Sequence, residues 1–75
     1  MKKTIIDNFR INDNVLITSF NPPLEGRIAD MYEIEPNMIG DPTLTKMYPK
    51  VVPVIEVILK DGKLRSFVKD VVKKV

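Results

Sequence analysis

The sequence predicts one small all-β domain, and three observations support that prediction. Its 75 residues are enough for one hydrophobic core and leave no room for a second. Two β-rich arms meet at Asp61-Gly62, a dipeptide typical of the tight turn of a β-hairpin. Six prolines, together with Asn, Asp and Gly residues, divide the rest of the chain into segments of strand length. We therefore expect residues 1–75 to form a single barrel or sandwich.

The first predicted strand is Val15–Thr18, whose β-branched side chains favour an extended backbone. A turn-rich segment, residues 11–14, leads into it. Asn21-Pro22-Pro23 ends it, because two consecutive prolines lack the N–H groups that a strand ladder needs.

The second predicted strand runs from Arg27 to about Ile34. Gly26 opens this segment and Pro36 closes it, so the segment has the length of a strand. Its apolar residues recur every three positions, a spacing that also suits a helix. We interpret the spacing as a strand that carries a bulge or a strong bend.

Residues 35–50 are predicted to form a long loop, because apolar periodicity disappears there and Pro, Asn, Gly and Asp residues mark successive turns. Loops of this length in compact domains are usually functional or mobile. This loop holds more apolar groups than a solvated linker needs. Those that we expect to fold back on the domain or to meet a partner are Met38, Ile39, Leu44, Met47 and Tyr48.

The hairpin is the clearest signal in the sequence. A two-residue turn at Asp61-Gly62 predicts a register in which Lys60 faces Lys63 and Ile58 faces Arg65. Successive strand residues point to opposite sides, so this register defines two faces. The predicted core face consists of Ile55, Val57, Leu59, Leu64, Ser66 and Val68. The predicted outer face consists of Val54, Glu56, Ile58, Lys60, Lys63, Arg65 and Phe67.

The C-terminal tail, residues 68–75, fits two structures. Its four valines lie on one face of a helix, but four valines in eight residues make a poor helix. We predict a single tight helical turn at Lys69–Val71, followed by a short closing strand.

This order of elements resembles that of the Src-homology-3-like small β-barrels, most closely the KOW and Tudor-like branch. The segments that carry the resemblance are Asn12–Ile17, Gly26-Arg27-Ile28, Val57–Gly62 and Val68–Val71. The resemblance implies an all-β, five-stranded small barrel with one long loop and a single helical turn before the last strand. It also implies binding of nucleic acid, of a ribosomal or transcription assembly, or of a short peptide. In Tudor-like barrels aromatic residues form a cage for methylated side chains, and Tyr32 and Tyr48 are the candidates for such a cage here.

Composition argues against catalysis. The chain has no Cys and no His, which removes thiol chemistry, disulfides, Cys/His zinc sites and the commonest general base. The carboxylates of Asp30, Glu33, Glu35 and Glu56 match no calcium loop, and the three isolated glycines form no phosphate cradle. We therefore predict a binding module that is not an enzyme and that has neither a metal nor a cofactor.

Positive charge is concentrated at the C-terminal end. Residues 60–75 hold six basic and two acidic residues, whereas residues 1–59 hold six basic and eight acidic ones. Two cations and an aromatic ring alternate along the second arm of the hairpin, as contact with a nucleic-acid backbone and its bases requires. The candidate nucleic-acid-binding residues are Lys60, Lys63, Arg65, Phe67, Lys69, Lys73 and Lys74.

Two other interpretations stay open. The same lysines are typical of the charges that keep an exposed hairpin soluble, with Phe67 partly buried under the long loop. The alternative function is protein binding through residues 36–49, as an accessory or inhibitory subunit of a larger assembly, viral or otherwise. An exposed Phe67 beside the cations favours nucleic acid, whereas an exposed patch of Met38, Met47 and Tyr48 favours a protein partner.

The sequence predicts a cytoplasmic protein without a membrane partner. The N-terminal residues imitate only the basic start of an export signal, because polar and charged residues follow before an apolar run develops. The longest apolar stretch, Val51–Leu59, is interrupted by Pro53 and Glu56 and is too short to span a bilayer. Formation of a homo-oligomer stays open.

Overall fold

The structure, a computed structural model, describes residues 2–3, 5–35, 40, 42–48 and 50–75. Strands make up most of the regular structure, which confirms the predicted all-β class. The elements are β1 (Lys2–Lys3), β2 (Asn14–Ile17), β3 (Leu24–Ile34), α1 (Pro42–Met47), β4 (Val52–Leu59), β5 (Leu64–Val68), a 3₁₀ turn (Lys69–Val71) and β6 (Val72–Lys74). Within these described ranges no helix has the length and apolar character needed to cross a membrane.

All of these strands belong to one antiparallel sheet. The strand order is β5-β4-β3-β2-β6, and the two-residue strand β1 pairs with the C-terminal part of β3. The five main strands agree with the predicted number. Strands β5 and β6 lie at the two ends of this order, and no ladder joins them among the described residues. The predicted closure into a barrel is therefore not confirmed.

One hydrophobic cluster forms the core. Its buried members are Ile6, Phe9, Val15, Ile17, Ile28, Met31, Ile55, Val57, Leu59 and Val72. Phe67 and Val71 are partly buried and pack against this cluster. Residues from both ends of the strand order thus share one core, which burial of their apolar surface stabilises.

Strand β3 carries the predicted bulge. Ile28 lies opposite Val57 and Asp30 lies opposite Glu56, so Ala29 is the extra residue between two paired positions. In a regular strand, residues two positions apart point to the same side of the sheet. Across a bulge, residues three positions apart do so. This explains why Ile28 and Met31, three positions apart, both lie in the core although the segment is not a helix. The strand begins at Leu24, three residues before the predicted start.

The turn of the β4–β5 hairpin has three residues rather than the predicted two. The Leu59 N–H donates to the Lys63 carbonyl (2.9 Å), and the Gly62 N–H donates to the Leu59 carbonyl (2.9 Å). Gly62 has a φ of +86°, in the left-handed region. This is the pattern of a type I turn followed by a glycine bulge, the usual three-residue hairpin.

The longer turn shifts the pairing by one residue and exchanges the two faces of β5. Arg65 lies opposite Val57, and Phe67 lies opposite Ile55, on the core side of the sheet. The prediction that Phe67 belongs to the outer face is therefore wrong. The residues wrongly assigned to the core face are Leu64, Ser66 and Val68, and the first two are exposed. A shift of one residue has this effect because strand side chains alternate.

The segment predicted to be a continuous loop, residues 35–50, contains α1. Pro42 begins this helix, a position where its missing N–H costs nothing. Six residues are too few to show a helical apolar period, which is why the sequence pattern did not reveal it. Of the loop residues singled out from the sequence, Met38 and Ile39 lie outside the described residues, as does the side chain of Leu44.

The C-terminal tail is folded as predicted. A 3₁₀ turn covers Lys69–Val71, and β6 follows directly as Val72–Lys74. Strand β6 pairs with β2, where Val72 lies opposite Ile17, and both side chains are buried.

Candidate nucleic-acid interface

Phe20, Arg65 and Phe67 form a cluster that we name the aromatic–arginine cluster. The two rings meet edge to face, with centroids 6.3 Å apart and planes at 88°. The guanidinium carbon of Arg65 lies 5.9 Å from the centroid of each ring. An aromatic pair in this geometry and a cation near a ring face both attract electrostatically, so the three side chains hold one another in place.

Two elements that are distant in sequence position this cluster. Strand β5 presents Arg65 and Phe67 on one face because they are two residues apart. Phe20 comes from the turn between β2 and β3. That turn is anchored to the 3₁₀ turn, since the N–H (2.8 Å) and the hydroxyl (3.2 Å) of Thr18 both donate to the Val71 carbonyl. Phe67 packs on the core, whereas Phe20 is 37% exposed. Phe67 therefore supports the cluster from below, and Phe20 is the ring that a ligand can reach.

The seven predicted nucleic-acid-binding residues do not form one uninterrupted cationic surface. Three of the lysines form ion pairs with other segments: Lys60 with Glu25 at 2.7 Å, Lys69 with Asp7 at 3.2 Å and Lys74 with Asp13 at 3.4 Å. Exposed pairs of this kind stabilise a fold little. They nevertheless lower the positive charge that each lysine offers to a polyanion.

The remaining cations keep their charge uncompensated. Among the described residues, Lys63, Arg65 and Lys73 have no carboxylate partner. Lys63 comes two residues before Arg65, so the alternation of β5 continues through Lys63, Arg65 and Phe67. The ring and cation contacts join Phe20 to Arg65 and Phe67, whereas Lys63 lies directly before the first residue of β5. The structure places Lys73 on β6, the opposite end of the strand order.

The loop residues predicted to bind a protein do not form one exposed patch among the described residues. Met47 is 52% exposed at the end of α1. Tyr48 is half-buried, and its hydroxyl donates to the Asp70 carboxylate in the 3₁₀ turn. This bond attaches the end of the long connection to the C-terminal part of the fold. Burial, then the hydrogen bond and the negative charge of Asp70, raise the pKa of Tyr48 to about 12.

Replacing Tyr48 with phenylalanine is expected to remove part of the alkaline loss of stability. Because the folded-state pKa of Tyr48 lies above the ordinary value of 10.0, the folded state holds this proton more tightly than the unfolded state does. Its stabilising contribution is complete below about pH 10 and is lost as the pH rises toward about 12. Urea unfolding on either side of pH 10.0, in wild type and in Tyr48→Phe, measures this loss. Tyr32 is present in both proteins, so its titration cancels, and equal losses in both would contradict the expectation.

Tyr32 and the acidic residues near it are engaged within the protein. The Tyr32 hydroxyl donates to a Glu56 carboxylate oxygen at 3.0 Å, and burial is the main cause of its raised pKa. Asp30 lies opposite Glu56 and accepts the Met31 N–H at 2.8 Å. Within the described part of the chain, no three carboxylate side chains lie close enough together to hold a metal ion. The two tyrosines proposed for an aromatic cage each bind a carboxylate, whereas the observed ring pair is Phe20–Phe67.

Phe20 is the cluster residue that is absent from the predicted site. The sequence does indicate that Phe20 lies in a turn, since it stands directly before Asn21-Pro22-Pro23. An aromatic residue inside a turn has few core neighbours, because turns lie on the surface. What the sequence does not contain is the contact with β5, which joins positions more than forty residues apart.

No protein-family model matches this chain. Among curated proteins and among solved structures, no match is found either.

Proposed function

We propose that this protein is a non-catalytic module that binds single-stranded nucleic acid through the aromatic–arginine cluster. One observation supports the proposal above all others. The exposed ring of Phe20 is held against the half-buried ring of Phe67, and Arg65, without a carboxylate partner among the described residues, lies beside both. An accessible apolar ring next to an uncompensated planar cation offers the two groups that a base and its phosphate require.

In this proposal a base stacks on Phe20, while Arg65 and Lys63 contact the neighbouring phosphates. Contact with Phe67 restricts the Phe20 ring before binding, which lowers the entropy lost when a base stacks on it. Bases in a duplex are already stacked on both faces, so an exposed ring favours single strands or unstacked bases. The three ion-paired lysines contribute less than Lys63, because a carboxylate compensates each of them.

Replacing Phe20 with alanine is expected to weaken the binding of a labelled single-stranded oligonucleotide by about five- to a hundredfold. The reason is that stacking of a base on an aromatic side chain contributes about 1–3 kcal/mol. Fluorescence anisotropy with oligo(dT) and oligo(U) of about 12 nucleotides, within the site size of one small domain, measures the affinity. The titrations are made at two salt concentrations, because phosphate contacts weaken with salt.

Matched variants separate stacking from charge. Phe20→Tyr keeps a ring and is expected to bind like wild type. Lys63→Ala is expected to lower the slope of log affinity against log salt by about one. Lys46→Ala removes an exposed lysine of α1, outside the cluster, and should leave the slope unchanged. Absence of binding at low salt, or equal affinities of Phe20→Ala and Lys46→Ala, would reject the proposal and favour a protein partner at residues 36–49, where Met47 is exposed.

We also propose that the sheet curves into a small barrel of the Src-homology-3-like kind. Phe67 and Val72 come from strands at opposite ends of the strand order, yet both pack on the same core cluster. The 3₁₀ turn between those strands contacts both β4 and β6. A curved sheet explains how these elements share one core, since the two ends of a flat sheet would lie far apart.

A further inference from the structure

A second concave surface, which we name the outer groove, lies between β2, β3, β4 and the end of the chain. It has a volume of about 570 Å³ and is open to solvent. This volume lies in the range of sites that hold small ligands or a few side chains. The lining residues that matter for its chemistry are Leu16, Glu25, Arg27, Ile58, Lys60 and Val75.

Strand pairing places the outer groove on the face of the sheet opposite to the core. Asn14 lies opposite Arg27, Arg27 lies opposite Ile58, and Ile58 lies opposite Leu64, so one row of side chains crosses four strands. Leu64 on β5 therefore lies next to the groove, on the same face as Ile58. The aromatic–arginine cluster uses the alternate residues of β5, which point to the other face. The two surfaces are thus separate sites.

The floor of the outer groove is aliphatic. Leu16 and Ile58 are half-buried there, while Leu64 is 56% and Val75 81% exposed. None of the described residues that line it is aromatic. A contiguous exposed apolar surface of this kind indicates contact with apolar side chains of a partner. A nucleic-acid base would find no ring to stack on, which favours a protein over a nucleic acid.

Of the three charged residues that line this floor, Arg27 and Lys60 are basic and Glu25 is acidic. Arg27 is exposed in the groove, and Lys73 lies opposite Leu16 on β6. Neither has a carboxylate partner in the described part of the chain, whereas Glu25 is compensated by Lys60 at 2.7 Å. Two uncompensated cations beside an apolar floor complement a partner that carries carboxylates. A second copy of this chain, docked symmetrically on the same face, would bring the same cations together.

We propose that the outer groove binds a protein segment in which acidic residues stand next to large apolar ones. The apolar side chains of the segment pack on Leu16, Ile58 and Leu64. Its carboxylates pair with Arg27 and Lys73 at the margin, where they are only partly desolvated. This proposal does not depend on nucleic-acid binding, because no residue of the aromatic–arginine cluster lines the groove.

The test uses a short synthetic peptide in which Glu alternates with Leu and Phe, added to uniformly ¹⁵N-labelled protein. Amide shift changes are expected in residues 14–16, 25–27 and 58–60. Replacing Arg27 with glutamate is expected to weaken the fitted Kd about tenfold or more, since hydrogen bonds to charged groups contribute about 1.5–3 kcal/mol. Lys46→Glu makes the same charge reversal on α1 and should leave the Kd unchanged.

Two further peptides and two further titrations decide the nature of the partner. A peptide with Lys in place of Glu, and one with Ser in place of the apolar residues, should each produce much smaller shifts. The proposal is wrong if the acidic peptide produces no shifts at millimolar concentration, or if the Lys peptide binds equally well. It is equally wrong if an oligonucleotide shifts the groove amides, or if concentrating the protein alone does so, because the occupant would then be nucleic acid or a second copy.

Discussion

Replacing Gly26 with alanine is expected to lower the free energy of unfolding by about 3 kcal/mol, the upper part of the range for overpacking. Gly26 pairs with Val15 on one side and with Leu59 on the other, so β3 cannot move away from its neighbours. An added Cβ would lie 2.3 Å from a methyl carbon of Val57 and 2.9 Å from the backbone oxygen of Ile58. A domain of this size has roughly 4–11 kcal/mol of stability, so the loss is a large fraction of the total.

Urea unfolding followed by circular dichroism measures the effect of the Gly26 substitution. A double-mutant cycle with Val57→Ala tests the cause, because that change removes the methyl groups that the new Cβ would meet. The two substitutions should couple favourably by more than about 0.5 kcal/mol. Additive effects would show that the close approach to Val57 is not what requires glycine. A stability equal to that of wild type would show that β3 and β4 adjust freely.

Truncation of Ile55 to alanine is expected to cost about 3–4 kcal/mol, within the range for large apolar residues that leave a cavity. Ile55 is completely buried in β4, with Met31 opposite it on β3 and Phe67 on β5. Ile55→Val removes one methylene and should cost only about 0.5–1.5 kcal/mol. Chemical denaturation of the two variants gives the comparison. A loss below 1 kcal/mol for Ile55→Ala would mean that the core relaxes into the vacated space.

The Ile55 substitution also connects the core with the proposed interface. Phe67 packs on this part of the core and supports the ring of Phe20. A cavity beneath Phe67 is expected to let that ring shift, so the folded Ile55→Ala protein should bind single strands more weakly than wild type. Ile55→Val should retain nearly full affinity, and loss of affinity in both variants alike would argue against support through Phe67.

The sequence predicted the strands better than it predicted their faces. Asp61-Gly62 fits a two-residue turn and equally fits a type I turn followed by a glycine bulge, since both need a positive φ at Gly62. The choice between the two depends on packing across the sheet, which local sequence does not encode. That one residue explains why the predicted faces of Phe67 and Leu64 are exchanged in the structure. A register shift moves every second residue of a strand to the opposite face together. Lys63, Arg65 and Phe67 are spaced by two and therefore stay on one face in either register.

Other features depended on contacts that are distant in the chain. The three-residue step from Ile28 to Met31 is a local signal, and the bulge that it predicts is confirmed. The pairing of Lys69 with Asp7 joins positions 62 residues apart and could not be inferred from composition. The same is true of Phe20, whose importance arises only when the turn that holds it meets β5. Apolar periodicity and turn residues identify strands and turns from the sequence. A site formed by several strands and turns can be identified only from the folded chain.

The position of Val75 has a practical consequence for any fusion or label. The Val75 N–H donates to the Asn14 carbonyl at 3.1 Å, and its side chain lines the outer groove. A tag joined after this residue would start inside the groove and compete with whatever binds there. Strand β1 pairs with Tyr32 and Glu33 instead, about six residues or roughly 20 Å along β3 from Arg27. Affinity handles and fluorophores therefore belong at the N-terminal side, where they leave the outer groove accessible.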